Sequence, residues 1–153
     1  MCAATAGQRG RRVLVIDHAD EPGKKILISG GGRCNFTNLH TAPDRYLSAN
    51  PHFAKSALSR YTPQDFIDLV NGHGIAWHEK TLGQLFCDGS AKQIVAMLMD
   101  ECAKGGVTFS FGRPVGEIGH ADGIFRVGEA TAAAIVISTG GPSIPKMGAT
   151  GFA

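Results

Sequence analysis

The sequence predicts an α/β fold with a parallel sheet, on three observations. Two runs, "VLVI" at residues 13–16 and "AIVIS" at 134–138, are continuously apolar or nearly so. Such runs suit strands covered on both faces, as in a parallel sheet. Between them lie segments with helical periodicity and recognisable caps. The 21 glycines among 153 residues exceed the usual ~7%. Many stand at the ends of apolar runs, where tight strand-to-helix turns need them.

The elements follow in order. "MCAATAGQRG" reads as the last turns of a helix, with small residues, then basic ones, then Gly10 as a stop. "RVLVID" follows as a strand ending at Asp17, and nothing upstream supplies it with a parallel partner. "KILIS", residues 25–29, is a strand or a short helix, and periodicity does not decide. It runs into Gly30, Gly31 and Gly32. Residues 38–49 are polar and turn-like. "NPHFAKSALSRY" reads as a helix with Pro51 at its start and Phe53, Ala57 and Leu58 on one face. A further helix opens at Thr62 as N-cap with Pro63 at N1 and Asp65 in the first turn. Its stripe is Phe66, Leu69 and Val70, and Gly72 and Gly74 end it.

"GIAWHEK" and "GQLFC" read as a short β-pair joined through Thr81, Leu82 and Gly83. Ser90 and Gln93 form a capping box ahead of a long helix. That helix turns Ile94, Met97, Leu98 and Cys102 to one face and stops at Gly105 and Gly106. "VTFSF", "PVGEI", "IFRV" and "AAAIVIS" are strand-like. "GHADG" is a turn signal, so the middle pieces make an antiparallel meander. "AIVIS" is expected to be central and parallel, ending at Thr139 and Gly140.

Composition narrows the function classes. The chain is 43% hydrophobic and 18% charged with a formal charge of +2, an ordinary globular balance. That charge is too small to point to a nucleic-acid partner. The Arg9, Arg11 and Arg12 cluster reads as a solvated corner. No apolar run approaches the ~20 residues of a membrane span, and no signal peptide is evident. Cys2, Cys34, Cys87 and Cys102 are scattered without a C-x-x-C pair, which fits reduced thiols in the cytoplasm. The six histidines are dispersed, so no metal site is expected.

Three features are expected at the C-terminal ends of parallel strands, where doubly wound sheets bind ligands. They are Asp17, the loop from Gly30 to Asn38, and Thr139 with Gly140. An acid at such a strand end accepts hydrogen bonds from ribose hydroxyls. Glycines let backbone N–H groups approach an anion, and Arg33 and Asn35 add side-chain donors. Cys34 beside Arg33 is a candidate thiolate, although no His-plus-acid partner is identifiable. No acid–base residue is singled out as catalytic.

The segments "GKKILISGGGRCNFTN", "GIAWHEKTLGQLFC" and "STGGPSIPKMGATG" resemble the bacterial aminoacetone oxidase-like (YhiN/BaiN-like) NAD(P)/FAD-dependent oxidoreductases, over essentially the whole chain. The resemblance implies a Rossmann-like FAD/NAD(P)-binding domain with a parallel sheet, a helical layer and a β-meander crossover. It implies FAD as cofactor, with NAD(P)H as a candidate electron donor. It assigns Asp17 to the adenosine ribose. Lys25, Gly31, Gly32, Arg33, Cys34 and Asn35 fall on the loop near the cofactor. The strand containing Val115 would give backbone contacts to adenine, and Thr139 and Gly140 would lie on a second flavin-contact motif. The segment 145–151 would approach the isoalloxazine. Against the family pattern, residues 1–153 are expected to be a partial FAD-binding domain. The first strand with G-x-G-x-x-G and the C-terminal part of the domain would lie outside it. A nucleotide-binding module without redox activity, a thiol enzyme built on Cys34 and a nonfunctional fragment remain open. A small-molecule substrate is expected, with no membrane and no nucleic acid as partner.

Overall fold

The computed structural model describes residues 1–140. The chain divides into two compact units, Met1–Arg113 and Pro114–Ala153.

The first unit begins with α1 (Cys2–Gln8), as the small residues predict, and Gly10 turns the chain at φ 78°. β1 (Leu14–Ile16) follows and pairs in parallel with β5 (Thr108–Ser110), Leu14 opposite Thr108 and Ile16 opposite Ser110. The partner of "VLVI" therefore comes from downstream. Burial of the strand on both faces is not found. With β5 as its one described neighbour, β1 leaves Leu14 exposed.

"KILIS" is helical. α2 (Lys24–Ile28) opens at Gly23 in the left-handed region. A Cβ at Gly23 would meet a Val95 methyl at 2.6 Å, so α2 sits tightly on α5 (Ala91–Lys104). Ile26 and Leu27 pack against the core from there. A 3-10 turn at Ser29–Gly32 then leads into β2 (Asn35–Asn38). This strand was not expected: "NFTN" read as loop. It pairs antiparallel with β4 (Gln84–Cys87), which also pairs antiparallel with β3 (Trp77–Glu79), giving the order β2-β4-β3. The glycine loop thus follows a helix and enters an antiparallel strand, which corrects its expected place at a parallel strand end.

Between β2 and β3 lie a 3-10 turn at Pro43–Arg45, α3 (Lys55–Arg60) and α4 (Pro63–Gly72). α3 starts four residues after Pro51, later than expected, and leaves Phe53 exposed before it. α4 has the caps its sequence predicts. The Thr62 hydroxyl accepts from the Asp65 N–H, and the Asp65 carboxylate accepts from the Thr62 N–H at 2.6 Å. α5 carries the same device with Ser90 and Gln93. Two capped amphipathic helices bury Ile67, Val70, Ala91, Ile94 and Met97. Of these, Val70, Ala91, Ile94 and Met97 pack with Cys34, Ile75 and Cys87 into one core.

α1 crosses α5 at bare backbone. A Cβ on Gly7 would lie 2.4 Å from the Gly105 carbonyl oxygen. Gly105 therefore does more than end a helix, which is the role its sequence position suggests.

The second unit holds the expected meander: β6 (Ile118–Ala121), β7 (Ile124–Val127) and β8 (Ala130–Ala132), all antiparallel. Asp122 and Gly123, at φ 51° and 74°, make the two-residue turn between β6 and β7, the I′ geometry that Asp-Gly favours. Two expectations fail here. Val115 lies in no strand, because regular pairing starts only at Ile118. Residues 134–138 form no strand either. No described strand pairs with them, and Val136 and Ile137 are exposed. The segment 145–151 lies outside the described residues. Among the described residues no helix is long and apolar enough to cross a membrane, and no cluster of His, Cys, Asp or Glu could hold a metal ion.

Candidate functional site

The glycine loop is wound left-handed. Gly30, Gly31, Gly32 and Cys34 have φ of 57°, 66°, 87° and 52°. A cysteine rarely adopts this region, and it holds here because the surroundings fix it. The Cys34 N–H donates to the Ser29 carbonyl at 3.0 Å, and the Cys87 N–H donates to the Arg33 carbonyl at 2.9 Å. The loop is thereby stapled to the end of β4.

Each glycine answers a different need. At Gly30 a Cβ would stand 2.5 Å from the Phe86 ring and 2.9 Å from the Asn35 nitrogen. Gly30 thus lets the chain cross the aromatic ring on β4. Gly31 has nothing within 4 Å of its Cβ position. Its backbone is open to an approaching group, and Arg33 beside it is exposed.

Cys34 points inward and is buried. Burial pushes its thiol pKa up, only partly offset by a hydrogen bond with Ser29. Cys87, in the same core, is pushed up to about 11, chiefly by burial. This corrects the thiolate expected from Arg33: the charge lies outside and the sulfur inside.

Two clefts flank β2. The smaller, about 280 Å³, brings Lys25, Cys34 and Asn35 together with Ser29, Met1 and Phe66. The larger, about 440 Å³, is lined by Asn35, Thr37, Asn38 and Thr41 and by Tyr46, Tyr61 and Phe66. Phe36 tilts against Phe66 and meets Trp77 edge-on, with centroids 6.0 and 6.3 Å apart. Asn38 is fixed by donating to the Leu82 carbonyl and accepting from the His40 N–H, at 2.9 and 2.7 Å. Burial, Asp65 and Glu101 raise the Tyr61 pKa, which keeps its hydroxyl a donor. Thr37 and Asn38 fall within the loop expected to bind, without being singled out there, whereas Tyr46 and Tyr61 lie outside every expected site feature. The alternation of "NFTN" was the available signal, masked by its glycine-rich approach.

Asp17 stands apart from these clefts, at the C-terminal end of β1. Its N–H donates to the Ser110 carbonyl and its carbonyl accepts from Arg113. This zips the exits of β1 and β5 together. Its half-exposed carboxylate accepts from the Ala19 N–H at 2.9 Å and lies 3.5 Å from His18 Nδ1. Both contacts are made by Oδ1, leaving Oδ2 without a partner among the described residues. The expected strand-end position of Asp17 is met. Val115, Thr139 and Gly140 belong to the second unit, where all three are exposed and outside any strand.

Comparison with known proteins adds relatives to this geometry. The chain is 59% identical to "Ribosomal RNA dihydrouridine synthase" of Escherichia coli (strain K12), over 99% of the chain and 39% of that protein. It is 46% identical to the Haemophilus influenzae protein of the same name, over 99% of the chain and 40% of the relative. A 3-dehydro-bile acid delta(4,6)-reductase of Clostridium scindens is 34% identical over 73 residues. None of these three bears the aminoacetone oxidase label. The chain spans about two fifths of the length of the first two. The family described as HI0933-like protein Rossmann domain matches residues 1–153. Its helices, its parallel β1–β5 pair and this match identify the chain as a Rossmann-like α/β domain and a member of the HI0933-like family.

Proposed function

We propose that this chain is the cofactor-binding part of an FAD-dependent oxidoreductase that reduces a carbon–carbon double bond of a uracil in ribosomal RNA, in the cytoplasm, with NAD(P)H as electron donor. The observation that carries the reading is the 59% identity, along nearly the whole chain, to a protein named as a ribosomal RNA dihydrouridine synthase. The names of all three relatives describe the addition of hydrogen across a double bond. This proposal puts a nucleic-acid substrate in place of the small molecule expected above, and departs from the expectation, drawn from the overall charge, that nucleic acid is not a partner.

The residues fit a flavin dinucleotide. Asp17 has a carboxylate oxygen available for ribose hydroxyls at a parallel strand end. Gly31 offers open backbone, and Arg33 offers planar donors for an anionic or carbonyl edge. FAD, when bound, supplies the hydride chemistry. The protein's own contribution is to orient the group and shape the space beside it. Lys25, Asn35 and the loop backbone would line the cofactor, while buried Cys34 anchors the loop. No proton transfer is assigned to Cys34, because its thiol is held protonated.

The test is the visible spectrum of the purified full chain. Flavin absorbance is expected, bleached by NAD(P)H and restored when ribosomal RNA is added. A protein that stays colourless after incubation with FAD would overturn the flavin reading.

A further inference from the structure

One segment of the first unit carries several large side chains that stay largely exposed. Residues 39–61 run from β2 to the start of α4. Leu47 is fully exposed, Phe53 is 70% exposed, and Tyr46 and Tyr61 are nearly half exposed. Single exposed apolar residues are ordinary, but several within one short segment point to a surface that a partner covers.

The same segment is basic. Arg45, Lys55 and Arg60 are exposed, against the single acid Asp44, 3.9 Å from Arg45. Its excess of two positive charges equals the chain's whole formal charge of +2. The remainder of the chain is neutral overall. The larger cleft takes Tyr46 and Tyr61 from this segment into its lining, together with Asn35, Thr37, Asn38 and Thr41.

We infer that residues 39–61, with the cleft beside β2, form the contact surface for a single-stranded stretch of RNA. The inference rests on the proposed uracil substrate and extends it to the way the strand is held. Exposed aromatic rings are platforms on which bases stack, whatever the sequence. Basic side chains spaced among them follow the phosphates. Amides and hydroxyls in a cleft of about 440 Å³ can bond the edge of one splayed base. A second copy of the chain is the poorer occupant, because a twofold contact would set the patch's positive charge against itself. The other basic cluster, Arg9, Arg11 and Arg12, has no aromatic residue from Gly7 to Val15 beside it.

The experiment measures binding of a fluorescein-labelled single-stranded oligoribonucleotide to the full chain by anisotropy across a salt series. Phe53→Ala is expected to weaken binding roughly tenfold, and Phe53→Trp to retain it, since a stacked base contributes about that much. The triple variant Arg45→Gln, Lys55→Gln, Arg60→Gln is expected to lower the salt slope by about 2, at about 0.7 per phosphate contact. Unchanged affinity and slope in every variant would overturn the surface, as would a wild-type chain that does not bind the oligonucleotide. Loss of self-association without loss of RNA affinity would overturn it in favour of a contact between copies. Formation of dihydrouridine in ribosomal RNA is followed in parallel. A wild type that makes none, with variants that still weaken binding, fails the substrate reading and upholds the surface. Normal synthesis with variants that bind like wild type fails the surface alone.

Discussion

Asp17 and Cys34 show how neighbours decide what a side chain does. Asp17 is held by backbone on both sides, through Ser110 and Arg113, while Oδ2 has no partner among the described residues. Asp17→Ala is expected to raise the FAD dissociation constant roughly 10- to 100-fold, the value of hydrogen bonds to a charged acceptor. Equilibrium dialysis against FAD measures this, and unchanged retention would remove the ribose role. The strand-end position of Asp17 was legible in the sequence because the apolar run of β1 stops directly before it. Cys34 was not. Its neighbour Arg33 suggested a thiolate, but a left-handed φ turns the sulfur into the core. Ellman's reagent should therefore modify exposed Cys2 quickly. Cys34, Cys87 and Cys102 should react only as the protein unfolds. Rapid modification of a second thiol in the native state would contradict the burial.

Among the elements, α1, α4 and α5 are tied by one carboxylate. Glu101 accepts from Lys104 at 2.5 Å and from Gln8 at 2.9 Å, and pairs with His73 at 2.8 Å. These partners, Lys104 first, lower its pKa from 4.5 to about 2. A carboxylate with a depressed folded pKa stabilises the fold above its unfolded value, and that contribution fades as pH falls. The stability gap between wild type and Glu101→Gln should be full above about pH 4.5 and close toward about pH 2. Urea melts at several pH values test this, and a gap independent of pH would contradict it. The α1–α5 crossing makes a second prediction. Gly7→Ala should cost about 1–3 kcal/mol, as overpacking does, because its Cβ meets the Gly105 carbonyl. Gly72→Ala, with open space at its Cβ position, should leave the thermal midpoint unchanged or slightly raised. Equal losses in both variants would contradict the close crossing.

The capped helices and the β3–β4 hairpin were readable because their signals are local: a cap, a stripe, a turn. β2 was hidden because its partner β4 lies across two helices, and because glycines precede it. "AIVIS" misled in the opposite direction. Apolar content alone does not make a strand where no described neighbour accepts its hydrogen bonds.

For the whole molecule, the formal charge of +2 is the ground on which no nucleic-acid partner was expected. The sum concealed a distribution in which one exposed aromatic segment holds the entire excess. Net charge describes solubility and long-range attraction, whereas recognition depends on where the charge sits. The Rossmann-like unit with its glycine loop, the aromatic and basic face and the named relatives converge on a single account. In the proposed account a dinucleotide would be held near Asp17 and the loop, and a strand of RNA would lie against residues 39–61 beside β2.

The most direct test of that account is the dihydrouridine content of ribosomal RNA, read by mass spectrometry after incubation with the full chain, FAD and NAD(P)H. Gain of two hydrogens at a uridine, sharply reduced with Asp17→Ala, is the predicted result. Ribosomal RNA that stays unmodified while the protein holds flavin and oxidises NAD(P)H would contradict it.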